Sequence, residues 1–277
     1  MTRLNVAGID VVVEVTHAEM TGPISEIFRV FDDLVHDVPT GRRAIVGLAG
    51  LPGSGKSTLA TLLAFLGNRV LPPLPVAAVS IDGWHWPNAR LDQMTTTLPD
   101  GRRVPLRERK GSPESFDVEG IVAAIRALRE AHMPARLPAY DRRLHEPVAD
   151  AITVAPGTRV VILEGNYVLC RQEPWRRVAE RLDMAMFLDV EEQRARESVI
   201  LRHVVGGLTR EQAEQKYERN DRLNAEYVIA SRRFADVLVR ADDSHRLTAV
   251  QVVRRRVRAA DRSPDRFPIS GHRDPPG

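Results

Sequence analysis

The sequence predicts an α/β protein, a doubly wound parallel sheet, and three observations carry that reading. Short apolar runs at 44–48, 76–81, 160–163 and 184–188 are separated by segments whose apolar residues recur at helical spacing. The first run passes at once into a glycine-rich turn and then a helix-like stretch, 57–66. The chain has 277 residues, 43% of them hydrophobic and 28% charged, which suits one extended domain with a large core and excludes a mostly disordered, fibrous or coiled-coil protein.

Taken in order, Ile24, Ile27, Phe28 and Phe31 stand at helical spacing, with Leu34 and Val35 behind them, so residues 1–40 read as an N-terminal helical extension. The runs 44–48 and 76–81 are buried-type strands. An arginine-rich stretch, 88–112, shows no period and reads as a long loop of the kind that forms binding segments or lids. Asp117 is a plausible N-cap for a helix through Val118, Ile121, Val122, Ile125 and Leu128. A second loop, 133–150, carries Pro134, Pro138 and Pro147. Strands follow at 160–163 and 184–188; a helical pattern from Glu191 pauses at Gly206 and Gly207 and restarts at Thr209, where Thr209 with Gln212 fits a capping box. A last strand is predicted at 235–239, and 263–277 reads as a flexible tail.

Forty Lys plus Arg against 37 Asp plus Glu gives a net charge of +3, which offers no reason to invoke nucleic acid but leaves room for an arginine-lined phosphate pocket. A single cysteine, Cys170, excludes an intramolecular disulfide and a multi-cysteine zinc site and fits a reducing compartment. The first residues contain no secretory-type apolar segment, and no run of about 18 apolar residues occurs. The expectation is a soluble, cytoplasmic protein with no membrane partner.

The strongest chemical signal is Gly50-Leu51-Pro52-Gly53-Ser54-Gly55-Lys56-Ser57, which matches G-x-x-x-x-G-K-[ST] between a strand and a helix. Glycines let successive N–H groups turn inward around a β-phosphate, and the helix adds the positive end of its dipole. Gly50, Gly53, Ser54, Gly55, Lys56, Ser57 and Thr58 are therefore the nucleotide-binding candidates, with Lys56 as the charge on the β- and γ-phosphates and Ser57 as a Mg²⁺ ligand. ATP and Mg²⁺ are the expected cofactors.

Asp82 ends the 76–81 strand at the same sheet edge, where a kinase acting on an alcohol needs a carboxylate to orient the hydroxyl and accept its proton; Asp82 could equally open a turn with Gly83. Glu164 ends the next strand and is the second metal candidate, or else a turn acid before Gly165.

SIDGWH at 80–85, RKGSPESFD at 109–117, PAYDRRLHEP at 138–147 and LEGNYVL at 163–169 resemble the blocks of the pantothenate kinase, uridine kinase and phosphoribulokinase group of P-loop kinases. RHVVGGLT and NDRLNAEYV look like a bacterial branch described as nucleoside or fructose-transport-system kinases. The resemblance follows the chain in order over 44–230, and the kinase domain is read as 41–262; the resemblance implies Asp82 as the catalytic aspartate and a lid at about 194–212 whose arginines neutralise the transferring phosphoryl group. Arg202 is the lid candidate, and the spacing of Arg196 and Arg202 reads as one helix face. The chain departs from the family in reading Arg202-His203 and Gly206-Gly207, so Arg210 is the open question for a second lid arginine. Tyr140, Arg143 and His145 fall in the segment that reaches the acceptor in these kinases, and His85, Lys110, Asn220 and Asn224 come from matching segments.

The expected partner is a small-molecule hydroxyl acceptor; the oligomeric state is not legible in the sequence, a homodimer being the commonest outcome for soluble homo-oligomers. Asp117 to Gly120 fits D-x-x-G, but no N-K-x-D motif accompanies it, and no LSGGQ signature occurs. The competing class is a nucleotide switch that serves a protein partner and hydrolyses slowly.

Overall fold

The computed structural model describes residues 1–6, 8–69, 74–98 and 100–254. It opens with a hairpin, β1 (Thr2–Val6) and β2 (Ile9–Val13), followed by a single helical turn α1 (His17–Glu19) and the helix α2 (Ser25–Asp37). Next come β3 (Ala44–Gly50), α3 (Lys56–Arg69), β4 (Val76–Ser80), the short helix α4 (Asn88–Gln93), and a small ribbon of β5 (Thr95–Thr97) with β6 (Arg103–Pro105). α5 (Val118–Leu128), the hairpin β7 (Ala135–Asp141) and β8 (Glu146–Val154), β9 (Val160–Glu164), α6 (Arg176–Ala179) and β10 (Met184–Asp189) follow. The chain continues through α7 (Glu192–Val205), α8 (Arg210–Lys216), α9 (Arg222–Ser231), β11 (Val237–Ala241) and β12 (Leu247–Val252).

Six strands form the central sheet in the order β12-β11-β10-β3-β9-β4, and every pairing is parallel except β11 with the edge strand β12. Alternate residues of each strand enter two different cores. On β3, Ile45 and Ala49 join the layer built on α5, α6 and α9, whereas Ala44, Val46 and Leu48 join the layer built on α2, α3 and the N-terminal hairpin. Burial on both faces explains why these strands are continuous apolar runs rather than alternating ones.

Side chains set the strands' registration at their amino ends. The Ile45 and Ala185 amides each donate 2.8 Å hydrogen bonds, to the carboxylates of Asp183 and Asp236. Arg43, fully buried just before β3, donates to the carbonyls of Leu128, Glu130, Ala131, Met133 and Ala155, which ties the end of α5 and the 155 turn to the sheet. These clamps align the carboxyl ends, where ligands of such sheets bind.

The N-terminal extension is not wholly helical: residues 2–13 form the β1–β2 hairpin, and Leu4 and Val6 are buried in the sheet core together with α2, so the segment packs as part of the same body. The two long loops are also structured. The 88–112 stretch contains α4 and the β5–β6 ribbon, and 133–150 is mostly the β7–β8 hairpin, whose charged and proline-bearing strands hide the period that marks a sheet. The segment 263–277 lies outside the described residues.

Candidate active site

The phosphate loop leaves the carboxyl end of β3, whose seven residues are all buried, and enters α3 at Lys56. Gly53 and Gly55 have φ of +83° and +89°, a region in which side chains are strained. Gly53 carries a second constraint: a Cβ there would stand 2.3 Å from the carbonyl oxygen of Ala195, so the loop touches the backbone of α7 directly. The Ser54 Oγ is buried with no hydrogen-bond partner, a polar atom at the place where a phosphate would sit.

Two carboxylates meet this loop. β9 lies between β3 and β4, and Glu164 pairs in register with Leu48 on one side and Ser80 on the other. The Glu164 carboxylate is buried and accepts hydrogen bonds from the hydroxyls of Ser80 and Ser57; burial raises its pKa, and Lys56 pulls it back down. Asp82 stands two residues beyond the end of β4, in a turn capped by the Ser80 hydroxyl, which accepts from the Asp82 amide at 3.3 Å. Burial lowers the Lys56 pKa, and the facing charges of Glu164 and Asp82 oppose that effect. Ser57 and Glu164 therefore present hard oxygen donors beside a phosphate cradle, a set that fits Mg²⁺. Among the described residues no cluster of three or more His, Cys, Asp or Glu could hold a metal, so an ion here would complete its shell with phosphate oxygens and water.

Arg202, near the end of α7, is an exposed residue whose guanidinium reaches the charges of Arg142, Asp221 and Asp82: partial desolvation and the neighbouring Arg142 lower its pKa, with Asp221 and Asp82 acting the other way. Arg196 does not accompany it. Six residues at 100° each turn the two about 120° apart, and Arg196 pairs with Glu197 and Glu218 over the Tyr217 ring. Arg210 is exposed and ion-paired with Glu197 and Glu214. The guanidinium that does approach is Arg142, from the turn of the β7–β8 hairpin, 3.7 Å from the Asp82 carboxylate.

His85 and Tyr140 are brought together beside Asp82. The His85 ring lies 3.9 Å from Phe116 and 5.2 Å from Tyr140 between centroids, and its Nδ1 bonds the Asp82 carbonyl at 2.9 Å, which requires that nitrogen to carry the proton. Gly83 permits the approach of this turn to the hairpin, since a Cβ there would be 2.4 Å from the Pro138 carbonyl oxygen. Lys110 reaches Asn88 Oδ1 and the His145 carbonyl, both at 2.6 Å, with its ammonium 5.1 Å from the Tyr140 ring. Burial pushes the Tyr140 hydroxyl up to about 12.

The other acceptor candidates are placed differently. The side chains of Arg143 and His145 are exposed, and what these residues contribute are backbone groups: the Arg143 amide to Asp141 and the His145 carbonyl to Lys110. Asn220 and Asn224 accept from Arg109 at 2.6 and 3.4 Å, which fastens the 109–111 segment to α9 and the turn before it. Arg142 was not singled out because the motif drew attention to its neighbour; it lies in the turn after β7 (Ala135–Asp141), past the strand whose alternation could have marked it.

Fold, loop and carboxylates together define a P-loop kinase. Residues 45–246 match the model of the Phosphoribulokinase / Uridine kinase family, and the chain belongs to that family. The chain is 37% identical over 229 residues to the uncharacterized protein YggC of Escherichia coli, covering 80% of this chain and 90% of that one. It is 32% identical over 158 residues to the pantothenate kinase of Bacillus velezensis, covering 54% of this chain and 46% of that kinase. A solved structure described as a putative fructose transport system kinase from Silicibacter sp. TM1040 superposes with a TM-score of 0.64 at 33% identity, over 76% of this chain and 96% of that one. No helix among the described residues is long and apolar enough to cross a membrane.

Proposed function

We propose that this protein transfers the γ-phosphoryl group of ATP to a hydroxyl of a small metabolite: a sugar, a nucleoside or a pantothenate-like compound. The observation that carries the reading is the meeting, at one sheet edge, of Lys56 with the carboxylates of Glu164 and Asp82, within electrostatic reach of Arg202. The acceptor oxygen attacks the γ-phosphorus, its proton passes to the Asp82 carboxylate, and the bond from phosphorus to the β–γ bridging oxygen breaks with its electron pair leaving on ADP. Lys56 holds the β- and γ-phosphates, and Arg202 neutralises charge on the moving group. Ser57 and Glu164 would hold Mg²⁺, which supplies electrostatic stabilisation of the phosphate oxygens.

On the acceptor side Tyr140 and His85 offer ring faces and Lys110 a donor. A nucleotide switch has no need of this walled segment beside Asp82. Relatives named for pantothenate and for fructose transport support a small polyhydroxylated acceptor without choosing one. We further propose a cytoplasmic enzyme independent of nucleic acid and membrane; its oligomeric state is tested by sedimentation, with a homodimer as the commonest symmetric assembly.

The deciding experiment measures ADP release with purified protein against a panel of sugars, nucleosides and pantothenate-like alcohols. An acceptor that raises release well above the water background, with the phosphorylated product seen by mass, is the expected result. A flat panel would sink the kinase reading.

A further inference from the structure

A cavity of about 470 Å³ opens beside the phosphate loop, on the side of Gly53, Ser54 and Thr58. Its size falls within the range of small-ligand sites, roughly 300–1,000 Å³. The opposite wall comes from the N-terminal hairpin: the half-buried Val11 and Val13 of β2 line the cavity, and Val12 between them, 60% exposed, borders it. The shared family region begins at residue 45, so this wall lies outside it.

The hairpin is strapped in place. Arg246 donates to the Glu14 carbonyl at 3.1 Å and to the Glu14 and Glu19 carboxylates at 3.2 and 3.1 Å, and the Leu247 amide donates to Glu19 at 3.0 Å. Glu19 is itself buried and belongs to the Thr16 capping box, so the strap joins a fixed point on each side. His245, next to the strap, brings its ring to the cavity, with Nδ1 3.8 Å from where a Cβ on Gly55 would be.

We propose that the N-terminal hairpin is part of the nucleotide site, with Val11 and Val13 forming the wall against which the base and ribose of the phosphate donor lie. The inference rests on the kinase reading. Its geometric ground is direction: the γ-phosphate must face Asp82 and the acceptor, so the remainder of the donor leaves the loop past Gly53 and Thr58, into this cavity. An apolar wall facing a ring suits a flat heteroaromatic group. The buried, unpartnered Ser54 Oγ in the same cavity is the polar atom awaiting a ligand.

The test compares binding of ADP and of tripolyphosphate, which carries no base, by calorimetry on the full chain. Val13→Trp fills the cavity and should weaken ADP about tenfold or more, a free-energy change of about 1.4 kcal/mol, while tripolyphosphate is held as in the wild type. Arg3→Trp, at an exposed β1 position outside the cavity lining, should change neither. Arg246→Gln loosens the strap without adding bulk; it should weaken ADP alone, and it covers the case in which the Val13 variant does not fold. Unchanged ADP binding in both Val13→Trp and Arg246→Gln overturns the proposal, and so does equal weakening of the two ligands, which would make the hairpin a support for the loop. A wild-type protein that binds neither ligand overturns the nucleotide reading itself, and this proposal with it.

Discussion

The Arg142 guanidinium stands 3.7 Å from the Asp82 carboxylate, and Asp82 is its only ion-pair partner among the described residues. An arginine this close to a proposed base serves transfer only if it exchanges that carboxylate for another anion, from the phosphoryl group or the acceptor. Arg142→Ala is therefore expected to lower kcat/KM at least about tenfold, the scale of one lost charge-assisted contact, whereas the exposed Arg143→Ala stays near wild type. Steady-state kinetics of the two variants check the contrast; equal effects would refute it.

Asp82→Asn should keep ATP binding and lower turnover by about 10² or more, as expected for a lost general base. Lys56→Ala should impair nucleotide binding with every acceptor tested. Turnover of the Asp82 variant near wild type would remove the base assignment and leave the phosphate loop standing, so the two variants separate the halves of the mechanism.

Burial, together with Lys110 and Arg142, holds the His85 pKa below its ordinary 6.5, with Asp82 pulling the other way. Well above pH 6.5 the ring is neutral folded or unfolded, so it contributes no slope. As pH falls below 6.5 towards the folded pKa, the unfolded chain takes up a proton that the native one refuses, and native stability declines. Thermal unfolding across this window should show the decline in the wild type and a shallower one in His85→Gln. Parallel profiles would show that other groups set the slope.

Gly53→Ala combines a φ of +83° with a Cβ 2.3 Å from the Ala195 carbonyl oxygen. The variant should unfold at a temperature lower by several degrees, for a cost of about 1–3 kcal/mol, and should bind ADP more weakly because the loop can relax only by leaving α7. Gly207→Ala, also at positive φ but with open space around it, should be the milder change in ADP binding.

Arg43→Ala would strip the donor from five carbonyls at once. A loss of about 3–5 kcal/mol, the scale for removing one partner of a buried charged network, is expected in denaturant unfolding.

What the sequence showed and what it hid follow contact distance. The phosphate loop, Asp82 and Glu164 were legible because each sits within a few residues of the strand that positions it, and strand and loop are read together. The N-terminal hairpin was missed although Val11 to Val13 is a β-branched run and Gly8 breaks the chain just before it. The helical spacing of Ile24 to Phe31 dominated that stretch. The turn of residues 84–86 is held by amide bonds to 115–117, from Trp86 to Ser115 and from Asp117 to Trp84, and no local pattern announces a pairing across some thirty positions. Arg142 and Arg143 are alike by residue type, and only their places in the turn between β7 and β8 tell them apart.

Glu164 is in register with Leu48 and Ser80 on its two neighbouring strands, so the place of its carboxylate is written into the backbone ladder. The hairpin that brings Tyr140 and Arg142 is a separate two-stranded sheet, joined to that edge by the close approach of Pro138 to Gly83. Such a division separates two tasks: the carboxylate beside the phosphate loop is placed by the sheet itself, while the groups on the acceptor side are placed by one close approach of backbone to backbone.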